Sequence, residues 1–235
     1  MPHTADAPRK TKCKICGITN LEDARFCAGA GADFLGFIQY SRSPRYVAPE
    51  TAKEIIGWVY GPEPVGVFVN EDAETVNRVA EAAGFALVQL HGDDPPAVCA
   101  AIERPVIKAF RVPPETTTDA LYAAIEPYAD VVTYFLLDTH HPTLWGGTGT
   151  PFDWQQARDL AAAFPLFLAG GLSTDNIEEA VRRVRPLGVD LSSRLETYPG
   201  KKDLDKLASF FDTFHAVQAR LENGRGRIED GESSL

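Results

Sequence analysis

The feature that most constrains this chain is a repeated alternation. A short run of apolar or β-branched residues gives way to a turn, then to a stretch with helical period, and the pattern recurs from Lys12 to Leu221. The strand-like runs are Lys12–Cys16, Phe34–Ile38, Val65–Val69, Ala86–Leu90, Val106–Phe110, Val131–Leu137, Leu166–Ala169 and Leu187–Leu191. The spacing after them predicts helices over Leu21–Ala30, Pro49–Trp58, Ala73–Ala83, Pro95–Ile102, Thr118–Ile125, Trp154–Ala163, Thr174–Val184 and Leu204–Leu221. Local punctuation agrees, with Asn20 at a cap, Pro49 in a first helical turn and Gly84 just past a helix end. Strands that alternate with helices pair in parallel, because a parallel crossover needs a helix-sized connection. No hairpin signal interrupts the series. An open doubly wound sheet of five or six strands would leave units over, whereas eight units close into a single (β/α)8 TIM barrel and use them all. Barrels occupy about 200–250 residues as one domain, so 235 residues suffice. The expected division is a disordered N-terminal extension over 1–11, a catalytic barrel over 12–222 and a disordered polar tail over 223–235. A large open α/β sheet is the alternative arrangement.

Composition narrows the partners. The chain is 44% hydrophobic and 24% charged, an ordinary globular balance. No apolar run approaches the roughly 20 residues that span a bilayer, and Met1–Lys12 lacks the apolar stretch of a signal peptide. A cytoplasmic protein is expected. The net charge of −10 argues against a nucleic-acid or anionic-membrane partner. An anionic ligand must then be held by a local positive site against the global field. Four cysteines, Cys13, Cys16, Cys27 and Cys99, are too few for a disulfide framework and fit a reducing compartment. Cys13 and Cys16 form a C-x-x-C, but on a strand positions i and i+3 point to opposite faces. Neither dithiol chemistry nor a metal site is expected from it.

In a parallel barrel the ligand sits where the strands end at their carboxyl edge. The residues there are polar or glycine-rich after every strand: Cys16-Gly17, the loop Tyr40–Tyr46, Asn70, Gln89-Leu90-His91-Gly92, Arg111, Asp138-Thr139, Gly170-Gly171 and Ser192-Ser193-Arg194. Asp138 closes an apolar strand, a partly desolvated position that suits a carboxyl group to general acid work. It could instead cap a helix or pair with Arg111. Cys16 ends an apolar strand beside Gly17. It is either a small buried hydrophobe or a base, and the second role needs nearby positive charge. Lys14, Arg45 and Lys108 are the candidates for that charge. Gly170-Gly171 opens a helix, and Ser192-Ser193 precedes a short helical start near Leu195–Thr197. These positions after strands seven and eight are where such barrels bind phosphate. Arg45, on a loop stiffened by Pro44, can hold a carboxylate bidentately. Gly146-Gly147-Thr148-Gly149 lacks the lysine of a Walker motif and reads as a closing lid.

Taken together these motifs resemble the phosphoribosylanthranilate isomerases of tryptophan synthesis. The resemblance is carried by Lys14-Ile15-Cys16-Gly17-Ile18-Thr19, Ser43-Pro44-Arg45-Tyr46-Val47, Val65–Asn70 and Val88-Gln89-Leu90-His91-Gly92. It continues through Leu136-Leu137-Asp138-Thr139, Gly146–Gly149 with Phe152-Asp153-Trp154, Leu168–Leu172 and Gly188-Val189-Asp190, and it runs from about Lys12 to Phe214. It implies a one-domain barrel that catalyses an Amadori rearrangement of N-(5-phosphoribosyl)anthranilate. By the same resemblance Asp138 is the general acid, Cys16 the general base and Arg45 the ligand of the anthranilate carboxylate. Gln89, His91 and Asp190 line the pocket, and Gly170, Gly171, Ser192 and Ser193 hold the phosphate. No metal or organic cofactor is implied, and both monomers and homodimers occur. The family most often has Ser-Ser-Gly-Val-Glu after strand eight, where this chain has Ser192-Ser193-Arg194-Leu195-Glu196. Arg194 is therefore expected at the phosphate or turned outward. Two other readings remain at this level. One is the related isomerase of histidine synthesis, which has an aspartate where Cys16 stands. The other is a barrel that binds a sugar phosphate without turning it over.

Overall fold

A computed structural model describes residues 10–113, 116–138 and 154–229. Eight parallel strands form a closed barrel in chain order. They are β1 Lys12–Cys16, β2 Phe34–Ile38, β3 Glu63–Phe68, β4 Leu87–Leu90, β5 Val106–Arg111, β6 Tyr134–Asp138, β7 Leu166–Ala169 and β8 Gly188–Leu191. Closure is made by β1 on β8, with Lys14 opposite Asp190. The helices that follow the strands are α1 Leu21–Gly29, α2 Pro49–Ile56, α3 Ala73–Ala83, α4 Pro96–Ala100, α5 Thr118–Ile125, α6 Trp154–Ala163, α7 Ile177–Val184 and α8 Leu204–Glu229. The expected barrel is the observed one. Among the described residues, no helix is long and apolar enough to cross a membrane.

Two cores follow from the period of two along each strand. Phe34, Val65, Leu87, Ile107, Leu136 and Phe167 point into the barrel and form its floor, with Phe167 edge-on to Phe34 and Tyr134. Alternate residues such as Ile15, Leu35, Val88 and Val189 point outward into the larger core beneath the helices. Gly188 leaves room for the Phe167 ring, since a Cβ there would lie 2.3 Å from it.

Helix ends follow their caps. Asn20 accepts from the Asp23 amide, Asp72 from Thr75 and Thr117 from Ala120. Gly84 ends α3 at φ 79°, a left-handed conformation that glycine adopts without a Cβ penalty. Three departures from the expected elements have local causes. Helix α7 begins at Ile177 instead of Thr174, because the Asn176 side chain accepts from Ser173 and donates to the Gly171 carbonyl, folding the preceding residues into a tight loop. Strand β6 begins at Tyr134 instead of Val131, because the amides of Val131 and Val132 both bond back to Tyr128. After β8, a single 3-10 turn over Ser193–Leu195 leads into a small antiparallel hairpin, β9 Glu196–Tyr198 and β10 Lys201–Lys202. The expected helical start at Leu195–Thr197 is thus largely strand, and one hairpin does interrupt the series.

Helix α8 extends beyond the expected end at Leu221 to Glu229, into the stretch read as a polar tail. The expected extension falls outside the described residues except for Lys10 and Thr11. The lid Gly146–Gly149 and Thr139 fall outside them too.

Candidate active site

In-register neighbours of a parallel sheet share a face, so the barrel floor fixes which strand-end residues reach the lumen. Gly36, two past Phe34, pairs with Cys16, and Lys14 pairs with both Phe34 and Asp190. Gln89 lies two past Leu87, and Asp138 two past Leu136. Lys14, Cys16, Gln89, Asp138 and Asp190 therefore face the lumen. Cys13 faces the opposite way, into the core with Cys27, and all four cysteines are free thiols. Among the described residues, no group of three or more His, Cys, Asp or Glu is placed to hold a metal ion.

Two polar chains meet at the mouth. In the first, Lys14 Nζ lies 3.0 Å from Asp190 Oδ1, with both side chains buried. Its ammonium is also coupled electrostatically to the Cys16 thiol. Burial opposes the lysine's charge, but Asp190 and Cys16 outweigh it and hold Lys14 above its ordinary value. Burial pushes the Cys16 thiol up; Lys14 and Lys202 pull it down without cancelling that rise. Of the three cations weighed from sequence, Lys14 is the one that pulls most on the Cys16 thiol. Lys108 is directed outward instead. It bonds the Gly92 carbonyl at 2.6 Å and lies 3.8 Å from Asp94, near the rings of Phe110 and Tyr128.

In the second chain, Gln89 Nε2 lies 2.9 Å from His91 Nδ1, and His91 Nε2 lies 3.3 Å from Asp138 Oδ2. Asp138 is partly exposed at 23%. The Asp190 carboxylate is coupled electrostatically to Lys14 on one side and to His91 and Asp138 on the other. It joins the two chains across the mouth.

Arg45 already holds a carboxylate. Its Nε and Nη2 grip Glu196 at 2.7–3.0 Å. That uses the side edge of the guanidinium; its end edge has the same bidentate geometry for a second carboxylate. Gly17 makes this packing possible. Its φ is 79°, and a Cβ there would lie 2.9 Å from Arg45 Cδ and 3.1 Å from Ser192 Oγ. After β7, Gly170 and Gly171 both take positive φ, 91° and 74°. Ser193 and Arg194 stand exposed on the 3-10 turn that follows β8. Arg194 is not among the residues with positive φ, so an arginine there meets no backbone penalty in place of glycine.

Sequence reasoning missed two residues of this neighbourhood, Glu196 and Lys202. Lys202 is fully buried, and its Nζ donates to the Cys16 carbonyl at 2.6 Å, to the Ser192 carbonyl at 3.3 Å and to Glu196 Oε1 at 3.0 Å. The signal was the Pro199-Gly200 dipeptide, a turn marker between two short runs.

Fold and mouth together define a (β/α)8-barrel enzyme whose polar groups converge on one small-molecule site at the carboxyl ends of the strands. The family model for N-(5'phosphoribosyl)anthranilate (PRA) isomerase matches residues 13–213. The N-(5'-phosphoribosyl)anthranilate isomerase of Pelobacter propionicus is 48% identical over 217 residues, covering 91% of this chain and 99% of that protein. That of Rubrobacter xylanophilus is 45% identical over 204 residues, covering 85% and 96%. The crystal structure of phosphoribosyl anthranilate isomerase from Thermotoga maritima superposes with a TM-score of 0.78 at 40% identity, covering 88% of this chain and 99% of that one. A phosphoribosyl anthranilate isomerase in complex with reduced 1-(o-carboxyphenylamino)-1-deoxyribulose 5-phosphate superposes at 0.76 with 38% identity and the same coverage. The chain belongs to the phosphoribosylanthranilate isomerase family, the intramolecular isomerases of tryptophan biosynthesis.

Proposed function

We propose that Cys16 and Asp138 are the acid–base pair that turns N-(5-phosphoribosyl)anthranilate into 1-(2-carboxyphenylamino)-1-deoxyribulose 5-phosphate. Asp138 gives its proton to the furanose ring oxygen, the ring C–O bond breaks, and the anthranilate nitrogen supplies the electron pair that forms the Schiff base. The Cys16 thiolate then removes the proton at sugar C2, and the electrons left behind neutralise the iminium to give an enolamine. Tautomerisation to the ketone completes the rearrangement. The substrate's own iminium is the electron sink, so this route asks for no cofactor.

The observation that carries this reading is the placement of the two groups on strands β1 and β6, both facing one lumen, so that they can act on neighbouring atoms of one sugar. Arg45 binds the anthranilate carboxylate through its end edge. Gln89, His91 and Asp190 line the sugar. Gly170, Gly171, Ser192, Ser193 and Arg194 receive the phosphate, where backbone N–H groups and one added cation work against the −10 field. The enzyme acts in the cytoplasm on a diffusible substrate, as a monomer or homodimer.

The test generates phosphoribosylanthranilate in situ, because it is labile, and follows loss of its fluorescence on adding the purified chain. Rapid loss with wild type, abolished by Cys16→Ala and by Asp138→Asn in folded protein, is the expected result. Undiminished turnover in either variant would remove that residue from its role.

A further inference from the structure

Lys202 satisfies all three ammonium protons inside the protein, on Cys16, Ser192 and Glu196, with no measurable exposure. Two of those acceptors are main-chain carbonyls, one at the end of β1 and one at the end of β8. The third is the carboxylate that grips Arg45. The ends of β1 and β8 and the loop after β2 are thereby tied to one buried charge.

The hairpin that carries Lys202 is itself clamped onto the first turn of α1 and the turn before it. The Lys202 amide donates to Asp23 Oδ2 at 2.7 Å, and Lys201 Nζ reaches Asp23 and Glu22 at 2.7 and 2.6 Å. Thr19 Oγ1 donates to the Gly200 carbonyl, and Lys206 Nζ donates to the Glu196 carbonyl at 3.0 Å. A buried lysine is costly unless every proton is bonded. Packing beneath a hairpin does not by itself require a charge; holding two carbonyls and a carboxylate in fixed relation does.

We propose that Lys202 and Glu196 are positioning residues of the isomerisation: Lys202 fixes the main chain that bears the Cys16 base, and Glu196 aims Arg45 at the substrate carboxylate. The inference rests on the roles proposed above for Cys16 and Arg45. The two residues act on different parts of the reaction, so their removal has different signatures. The charged groups coupled to the Cys16 thiol are Lys14 on its own strand, Asp190 on β8, Lys202 on β10 and Arg45 on the loop after β2. Removing Lys202 withdraws one of the cations that favour the thiolate.

The experiment measures kcat and KM across pH for wild type, Lys202→Met and Glu196→Gln, with near-ultraviolet circular dichroism to establish folding. It adds the Kd of the reduced product analogue and of its counterpart lacking the carboxylate. Lys202→Met is expected to lower kcat by about 10²-fold, the loss that follows a misplacement of about 1 Å, and to move the acid limb of the rate profile to higher pH. Glu196→Gln is expected to raise KM about tenfold, one lost charge-assisted contact, and to lower kcat less than KM rises. It should weaken the analogue with the carboxylate and leave its counterpart unchanged. If Lys202→Met does not fold, the Glu196→Gln pair of Kd values decides. Folded variants with wild-type kcat and KM, or equal losses for both analogues, would overturn the proposal while wild-type turnover upheld the isomerase. A wild type without turnover would overturn both.

Discussion

Gly36→Ala is a one-carbon change aimed at the proposed base. Gly36 lies beside Cys16 in the β1–β2 register, and an added Cβ would sit 2.8 Å from Cys16 Sγ, 3.1 Å from Cys16 Cα and 3.2 Å from Lys14 Nζ. Ordinary contact begins at about 3.5–4.0 Å, so the new methyl is short by roughly 1 Å. The backbone cannot easily absorb this, because the amides of Gly17 and Ile18 both bond the Gly36 carbonyl at 2.9 Å. The thiol and the ammonium must move instead. Overpacking of this kind costs about 1–3 kcal/mol of stability. A base displaced by about 1 Å costs about 10²-fold in rate, or about 2.7 kcal/mol of barrier. Denaturant midpoints and fluorescence-loss kinetics on the same samples measure the two effects. The Cys16→Ala background removes Sγ, so Gly36→Ala should destabilise Cys16→Ala less than it destabilises wild type. A Gly36→Ala protein that turns over at the wild-type rate would refute the claim that the thiol and ammonium positions are set by this contact.

Three further outcomes follow from the same coordinates. Lys14→Met strands the buried Asp190 carboxylate and should cost about 3–5 kcal/mol in denaturant unfolding; pairing it with Asp190→Leu should recover part of that loss, and no recovery would argue against a coupled pair. Burial pushes the Glu196 carboxyl up, but the bonds from Arg45 and Lys202 outweigh this and leave it below its ordinary 4.5. Its stabilisation is therefore full above that ordinary value and is lost as pH falls through the lowered one. The midpoint gap between wild type and Glu196→Gln should narrow as pH falls from neutral to below the ordinary carboxyl value, and a constant gap would contradict the sign. Arg194→Gly should raise KM if the arginine meets the substrate phosphate, and an unchanged KM would place that side chain outward.

The alternation of period-two and helical runs made the barrel legible, because eight strand–helix units have one economical closure. The starts of α1 and α2 and the end of α3 followed from Asn20, Pro49 and Gly84. The failures have named causes: the Asn176 side chain delays α7, and Val131 and Val132 are spent on a turn. The hairpin after β8 left only its Pro199-Gly200 turn as a signal, because its strands are three and two residues long, too short to show a period.

Strand ends also placed Cys16, Gln89 and Asp138 at one mouth before any coordinates, and the family resemblance added Asp190. Sequence could not rank the cations near Cys16. Lys14 and Lys108 are both strand lysines in apolar runs, and only closure of the barrel puts one against the thiol and the other among rings beneath the helices. Nor could it find the bond from Lys202 to the Cys16 carbonyl, which spans 186 positions of chain. Local patterns determine which face a side chain takes, because that depends on neighbours two to four residues away. Which charges share a buried space depends on how distant segments close upon one another, and the tertiary structure alone decides it.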